Sequence, residues 1–169
     1  MRANPWMLNT LPKLVLRDWR DLRIYTEADL QGSVYFWLRR HFDAVRSSRW
    51  DFRSQPVIPI GGRDSRPDVV FFKRGVPYDA IELKVQLRGF SRHTLTREWD
   101  KLQRLKQHQG MRHAYQFVLY DSDEVFRLDK ADWMKNYLTF IGVNVRRYPS
   151  GKLRKGYWDV ADQWGKAKF

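Results

Sequence analysis

The strongest constraint on the fold is the segment from Asp79 to Gln86, where apolar and polar residues alternate strictly from Ile81 onward. Side chains two positions apart share one face of a β-strand, so Ile81, Leu83 and Val85 would line one face and Glu82, Lys84 and Gln86 the other. The apolar face can enter a core. The opposite face presents a carboxylate and an ammonium about 6–7 Å apart along the strand, with an amide beyond them.

A second short apolar run precedes this strand. Asp68-Val69-Val70-Phe71-Phe72 is typical of a buried strand, and Lys73-Arg74-Gly75-Val76-Pro77 supplies the residues of a turn. We therefore expect a β-hairpin formed by strands 68–72 and 79–86. Such a hairpin would bring the Asp68 carboxylate against Glu82, although fourteen positions separate them.

The remaining periodicities predict helices and two further strands. Thr26 and Asp29 indicate a capped helix over about 27–46, a short helix follows Pro12, and inward-facing Leu95, Trp99, Leu102 and Leu105 indicate a helix over 94–109. Strands are expected at Ala114–Tyr120 and Val143–Tyr148, with a short helix from Asp129 to about Phe140. The order is α, β-hairpin, α, β, α, β, a mixed α/β domain.

Length and composition restrict the class of protein. The 169 residues carry a net charge of +13 and no cysteine, which excludes disulfides, thiolate zinc sites and a cysteine nucleophile and favours a polyanionic partner, chiefly nucleic acid. No apolar run approaches the roughly 18 residues of a membrane span. We expect a soluble, cytoplasmic protein of one domain over 1–169, with an N-terminal extension (1–25), a basic aromatic C-terminal extension (121–169) and no membrane partner.

Asp68 and Glu82 together suggest metal chemistry. Two adjacent carboxylates repel each other, and a hard cation such as Mg²⁺ relieves the repulsion while leaving positions open to phosphate and water. Mn²⁺ is an alternative at oxygen ligands. Phosphodiester hydrolysis also needs a cation that orients the nucleophile or stabilises the pentacovalent state, and Lys84 can provide it.

At these residues the chain resembles the PD-(D/E)xK nuclease superfamily, through Arg66-Pro67-Asp68-Val69-Val70 and Ile81-Glu82-Leu83-Lys84-Val85. The resemblance covers about residues 26–120 and is greatest to small stand-alone nucleases such as Holliday-junction resolvases. It implies a restriction-endonuclease-like fold, a mixed central sheet flanked by helices with an αβββαβ core. It also implies roles for individual residues: Asp68, Glu82 and the Leu83 carbonyl as metal ligands, Lys84 positioning the attacking water, and Glu27 binding the metal or its water.

Further basic and polar residues are candidates for contacts with nucleic acid. The resemblance suggests Lys101 and Gln103 on the helix after the motif strand. Between 146 and 169, seven Lys or Arg residues face only two Asp and are interleaved with aromatic residues, a composition suited to gripping phosphates beside a cut. With Gln86, for which a merely polar surface position is the stronger interpretation, the candidates are Arg66, Gln86, Arg88, Arg92, Lys101, Gln103, Arg154 and Lys155.

The sequence thus predicts a metal-dependent nuclease that hydrolyses phosphodiester bonds, chiefly in DNA, as a homodimer or part of a larger complex. The main alternative is a non-catalytic nucleic-acid-binding subunit of a larger defence or recombination complex. A third is a basic RNA- or ribosome-associated domain in which the acidic residues are incidental. Taken singly, Glu82 with Lys84 could be the solvated face of an edge strand, and the helix dipole alone explains Glu27.

Overall fold

The computed structural model describes residues 4–44, 50–87, 92–121, 138–145 and 158–161. Within these ranges, the backbone alone is described for 92–96, 108, 138, 144 and 158–161. Three of the candidate nucleic-acid contacts, Arg88, Arg154 and Lys155, lie outside the described residues, as does the side chain of Arg92.

The described chain forms helices and strands in mixed order. The helices are α1 (Pro5–Asn9), α2 (Leu11–Arg20), α3 (Glu27–Ala44) and α4 (Arg92–Gln109). The strands are β1 (Trp50–Ser54), β2 (Ile58–Ile60), β3 (Arg63–Ser65), β4 (Val69–Lys73), β5 (Val76–Gln86), β6 (His113–Tyr120), β7 (Leu138–Asn144) and β8 (Trp158–Ala161).

Six of these strands make one mixed sheet in the order β1-β4-β5-β6-β7-β8, while β2 and β3 pair separately. The β5–β6 and β6–β7 pairs are parallel, and the other neighbours are antiparallel. Counting only strands of the main sheet, the order from α3 to β6 is α-β-β-β-α-β. The predicted mixed α/β class, with a mixed sheet flanked by helices, is confirmed.

The two faces of the sheet are covered by different helices. Ile81 and Leu83 of β5 pack in a core with α2 and α3, whereas Ala80 packs with Trp99 and Leu102 of α4 on the opposite face. This division follows from the alternation of side chains along the strand. The polar residues Glu82 and Lys84 therefore belong to the face that α4 covers.

The N-terminal segment is an integral part of the first core. Met7 and Leu11 are buried in it, and the backbone N–H of Asn4 donates a hydrogen bond of 3.1 Å to the hydroxyl of Tyr115 on β6. The predicted helix after Pro12 is confirmed but begins at Leu11, and α1 precedes it. Among the described residues, no helix combines the length and apolar character needed to span a membrane.

Other predicted boundaries need correction. The helix expected to run to about Phe140 is wrong at its end, because β7 begins at Leu138 and pairs along its length with β6. Burial of Phe140 and Ile141 in the two cores outweighs the local helical signal. The predicted strand at 143–148 overlaps β7 only at Val143 and Asn144; residues 122–137 and 146–148 lie outside the described residues.

Candidate active site

The hairpin of β4 and β5 brings the two predicted acidic residues together. Val69 lies opposite Ile81, so the antiparallel register places Asp68 opposite Glu82 one residue further on. Both side chains are buried, with 8% and 4% of their surfaces exposed. Asp68 Oδ2 accepts a hydrogen bond of 2.8 Å from the backbone N–H of Leu83, which fixes its carboxylate at this end of the hairpin.

Glu82 has one partnered and one unpartnered oxygen. Its Oε1 accepts a 2.8 Å hydrogen bond from Lys101 Nζ, whereas Oε2 is buried and has no hydrogen-bond partner among the described residues. Burial and the neighbouring Asp68 charge raise the pKa of Glu82 to about 8, although Lys101 opposes the shift. Burial likewise raises the pKa of Asp68, against the Leu83 hydrogen bond.

Lys84 lies two residues further along β5 and contacts carboxylates from two helices. Its Nζ donates a 3.1 Å hydrogen bond to Glu27 Oε1 of α3 and lies 3.8 Å from Glu98 Oε1 of α4. Burial alone would lower the pKa of Lys84, but the carboxylates of Glu27 and Glu98 outweigh it and raise that pKa. Lys84 therefore remains an ammonium and is suited to act as a cation rather than as a general base.

Glu27 reaches the site from the first turn of α3. The predicted cap of this helix is confirmed: Asp29 Oδ2 accepts from the Thr26 backbone N–H at 2.9 Å, and the Asp29 N–H donates to Thr26 Oγ1 at 3.2 Å. Because Asp29 makes the capping hydrogen bonds, the Glu27 carboxylate is available to pair with Lys84. It pairs with the lysine rather than joining Asp68 and Glu82 as a third carboxylate of one group.

Sequence reasoning missed Glu98, a buried carboxylate on α4. Its Oε1 lies 3.8 Å from Lys84 Nζ and its Oε2 lies 3.9 Å from Lys101 Nζ. Arg97 Nη2 also donates a 3.2 Å hydrogen bond to Oε1. Burial opposes ionisation of Glu98, but its side-chain interaction with Glu82 and the cations of Lys84, Lys101 and Arg97 outweigh burial and lower its pKa. The signal was available, since Glu98 is four residues before the inward-facing Leu102 and so shares its side of the helix.

The other candidates on these elements differ in placement. Lys101, predicted to contact nucleic acid, instead donates to Glu82 and to the backbone carbonyl of Arg66, whose side chain is exposed. Gln103 lies two positions along α4, so it faces another direction from Lys101. Gln86 is only 8% exposed, so the interpretation of a merely polar surface position is wrong: β5 continues between two covered faces at this point.

A second glutamine, not singled out from the sequence, lies beside the acidic pair. Gln116 of β6 is in register with Glu82 in the parallel pairing and is fully buried. Neighbouring strands lie about 4.8 Å apart, so the amide side chain shares the α4-facing surface of the sheet with the Glu82 carboxyl. A polar residue within a run of eight buried positions is the feature that distinguishes it.

The oxygen groups suit a hard cation better than zinc. Across the described residues, no three His, Asp or Glu side chains are grouped so as to hold a metal ion. Mg²⁺, however, commonly uses only one or two carboxylates and keeps several waters. The buried, unpartnered Glu82 Oε2 next to Asp68 fits that requirement, with the Leu83 backbone directed to the same side as Asp68. Asp68, Glu82 and the Leu83 carbonyl would hold the ion.

The raised pKa of Glu82 predicts a pH-dependent stability that Glu82→Gln should remove. The folded chain holds the Glu82 proton more tightly than the unfolded chain, where the ordinary pKa is 4.5, so ionisation costs stability as pH rises. Without metal, Glu82→Gln should be close to the wild type in unfolding free energy near about pH 5 and should become progressively more stable than the wild type as the pH rises toward about 8. Urea unfolding in EDTA at both pH values measures this.

The matched control for that measurement is Asp64→Asn, which removes an exposed carboxylate from β3. This variant should follow the wild type at both pH values. Equal pH dependence in Glu82→Gln and wild type would show that ionising Glu82 costs the fold nothing.

The site described above stands on its own geometry, because comparison of the chain with family models, with curated proteins and with solved structures finds no match in any of the three.

Proposed function

We propose that this protein is a metal-dependent nuclease that hydrolyses phosphodiester bonds in DNA. The observation that carries the proposal is the buried pairing of Asp68 with Glu82 across the β4–β5 hairpin, with the Lys84 ammonium next on the same strand face. The order α-β-β-β-α-β around this hairpin supports the resemblance to the PD-(D/E)xK superfamily. The net charge of +13 supports a polyanionic substrate.

Each side chain has a distinct part in the proposed reaction. Asp68, Glu82 and the Leu83 carbonyl would hold Mg²⁺ or Mn²⁺, which supplies acidified water and neutralises phosphoryl charge when bound. Lys84, kept protonated by Glu27 and Glu98, orients the attacking water and stabilises negative charge as it develops on the phosphoryl oxygens. Asp68 is itself oriented by the Leu83 N–H. No covalent intermediate with the protein is needed.

A second function is supported by the contacts of Lys101. Because its ammonium donates a hydrogen bond to Glu82, the same cluster can be interpreted as a structural polar network in a nucleic-acid-binding subunit without catalysis. Both functions require binding that weakens with salt, since both depend on phosphate contacts. They differ only in whether the bound strand is cut in the presence of metal.

The test is cleavage by the full-length protein of supercoiled plasmid, linear duplex, single-stranded DNA and a four-way junction, each with Mg²⁺, Mn²⁺ or EDTA. The nuclease proposal expects cutting of at least one substrate with metal and none with EDTA. Binding to these substrates without cutting under any condition would overturn it in favour of the non-catalytic subunit.

A further inference from the structure

The Lys101 ammonium lies among oxygen atoms of the acidic cluster. Its Nζ is 2.8 Å from both Glu82 Oε1 and the Arg66 carbonyl oxygen, and 3.9 Å from Glu98 Oε2. Three oxygen groups from three segments thus surround one ammonium. About a quarter of the Lys101 side chain is exposed, so the ammonium reaches the cluster from the solvent side of α4.

An ammonium and a divalent cation both interact favourably with these oxygens and therefore compete for them. Glu82 and Asp68 are the carboxylates that would hold the metal, and Lys101 already donates to Glu82. Two cations within a few ångströms in a buried site repel each other strongly, because the low local dielectric screens them poorly. A metal bound at Glu82 therefore requires Lys101 to withdraw from Oε1 or to remain nearby at an energetic cost.

Glu98 gives the displaced ammonium a second partner. It lies three residues before Lys101 on the same helix, so the two side chains stay neighbours whatever α4 packs against. Lys101 can thus leave Glu82 without being stranded, since an acceptor on its own helix remains within reach.

We propose that Lys101 is a built-in counter-ion that competes with the divalent metal for Glu82 and sets the metal concentration at which the site fills. This inference rests on the proposed function, because it takes Asp68 and Glu82 as the metal-holding pair. It assigns to Lys101 regulation of metal loading, in place of the nucleic-acid contact that the sequence suggested.

The test is Mn²⁺ binding to the full-length protein without DNA, followed by the electron paramagnetic resonance signal of free Mn²⁺. Lys101→Met should bind Mn²⁺ about tenfold more tightly than wild type, because the competing charge is gone. Lys101→Arg, which keeps the charge, should stay close to wild type. Arg104→Met, which removes an equal charge from an exposed position on the same helix, should also match wild type.

Two further arms separate the possible failures. Asp68→Asn should abolish the Mn²⁺ site and so identifies it. If wild type binds Mn²⁺ in an Asp68-dependent way but Lys101→Met binds equally or more weakly, the counter-ion proposal is overturned and the proposed function stands. If neither wild type nor Lys101→Met binds Mn²⁺, both are overturned. Lys101→Gln, which can still donate to the Arg66 carbonyl, replaces the methionine variant if that one does not fold.

Discussion

Lys84→Met is expected to lower the rate of metal-dependent DNA cleavage by about a thousandfold, the typical cost of removing a positioned charge that acts in the transition state. The replacement keeps the length of the side chain and its packing but removes the ammonium that Glu27 and Glu98 hold. Affinity for DNA should change little, since one charge of an excess of thirteen is lost. Single-turnover cleavage and fluorescence anisotropy in EDTA measure the two quantities separately.

The matched control is Lys73→Met, which removes the same charge from an exposed position at the far end of β4. It should cleave DNA at the wild-type rate.

Asp68→Asn should also lower the rate of cleavage, for a different reason. The amide oxygen can still accept from the Leu83 N–H, so the hairpin is preserved, while the charge that would hold the metal is removed. Cleavage by Lys84→Met within about threefold of wild type would exclude Lys84 from the transition state.

The parts of this site that were predictable are those fixed by period and turn. The strict alternation of apolar and polar residues around Glu82 is typical of a strand and not of a helix. Arg74 and Gly75 adopt the positive φ angles of 54° and 78° that a tight turn between two strands requires. Once the reversal is placed, the pairing of Asp68 with Glu82 follows from register. The cross-strand placement of the two carboxylates could therefore be derived from the sequence.

Contacts between side chains on different helices and strands were not predictable in the same way. A lysine on an amphipathic helix of a basic protein reads as a phosphate contact, and only the packing of α4 against the sheet shows that Lys101 meets Glu82 instead. Glu98 was missed for the related reason that an acidic residue beside an apolar stripe is ordinarily solvated. Its burial is offset by Lys84, which tertiary structure brings to it from β5, and by Arg97 and Lys101 on its own helix.

The strands missed at the margins of the sheet have a different cause. β1 carries a single buried side chain, Phe52, so its sequence has no strand pattern. Its backbone pairing with β4 makes it a strand. β7 is the converse: the predicted helix to about Phe140 includes its first three residues, and the parallel ladder with β6 makes them part of a strand. Both depend on partners distant in sequence, which local propensity does not contain.

Asp18→Ala is expected to lower the free energy of unfolding by about 3 kcal/mol, since buried polar groups left without partners carry their full desolvation cost. Asp18 is 4% exposed and lies on α2, and its Oδ2 accepts hydrogen bonds of 2.7 Å from both Ser33 Oγ and Trp37 Nε1 of α3. Alanine would leave the indole N–H of the buried Trp37 without its hydrogen-bond acceptor. Urea unfolding measures the loss.

The control is Asp21→Ala, three residues further on, where exposed ion pairs with Arg20 and Arg23 should be worth under about 0.5 kcal/mol. If the indole hydrogen bond carries much of the effect, Trp37→Phe and Asp18→Ala should combine less than additively, with a coupling of about 1 kcal/mol or more. Additive losses of unfolding free energy would show that the hydrogen bond between Asp18 and Trp37 is not the source of the stabilisation.

The same variant should also slow cleavage. Helix α3 begins at Glu27, which pairs with Lys84, so a weaker attachment of α3 to α2 would disturb the geometry of the proposed active site.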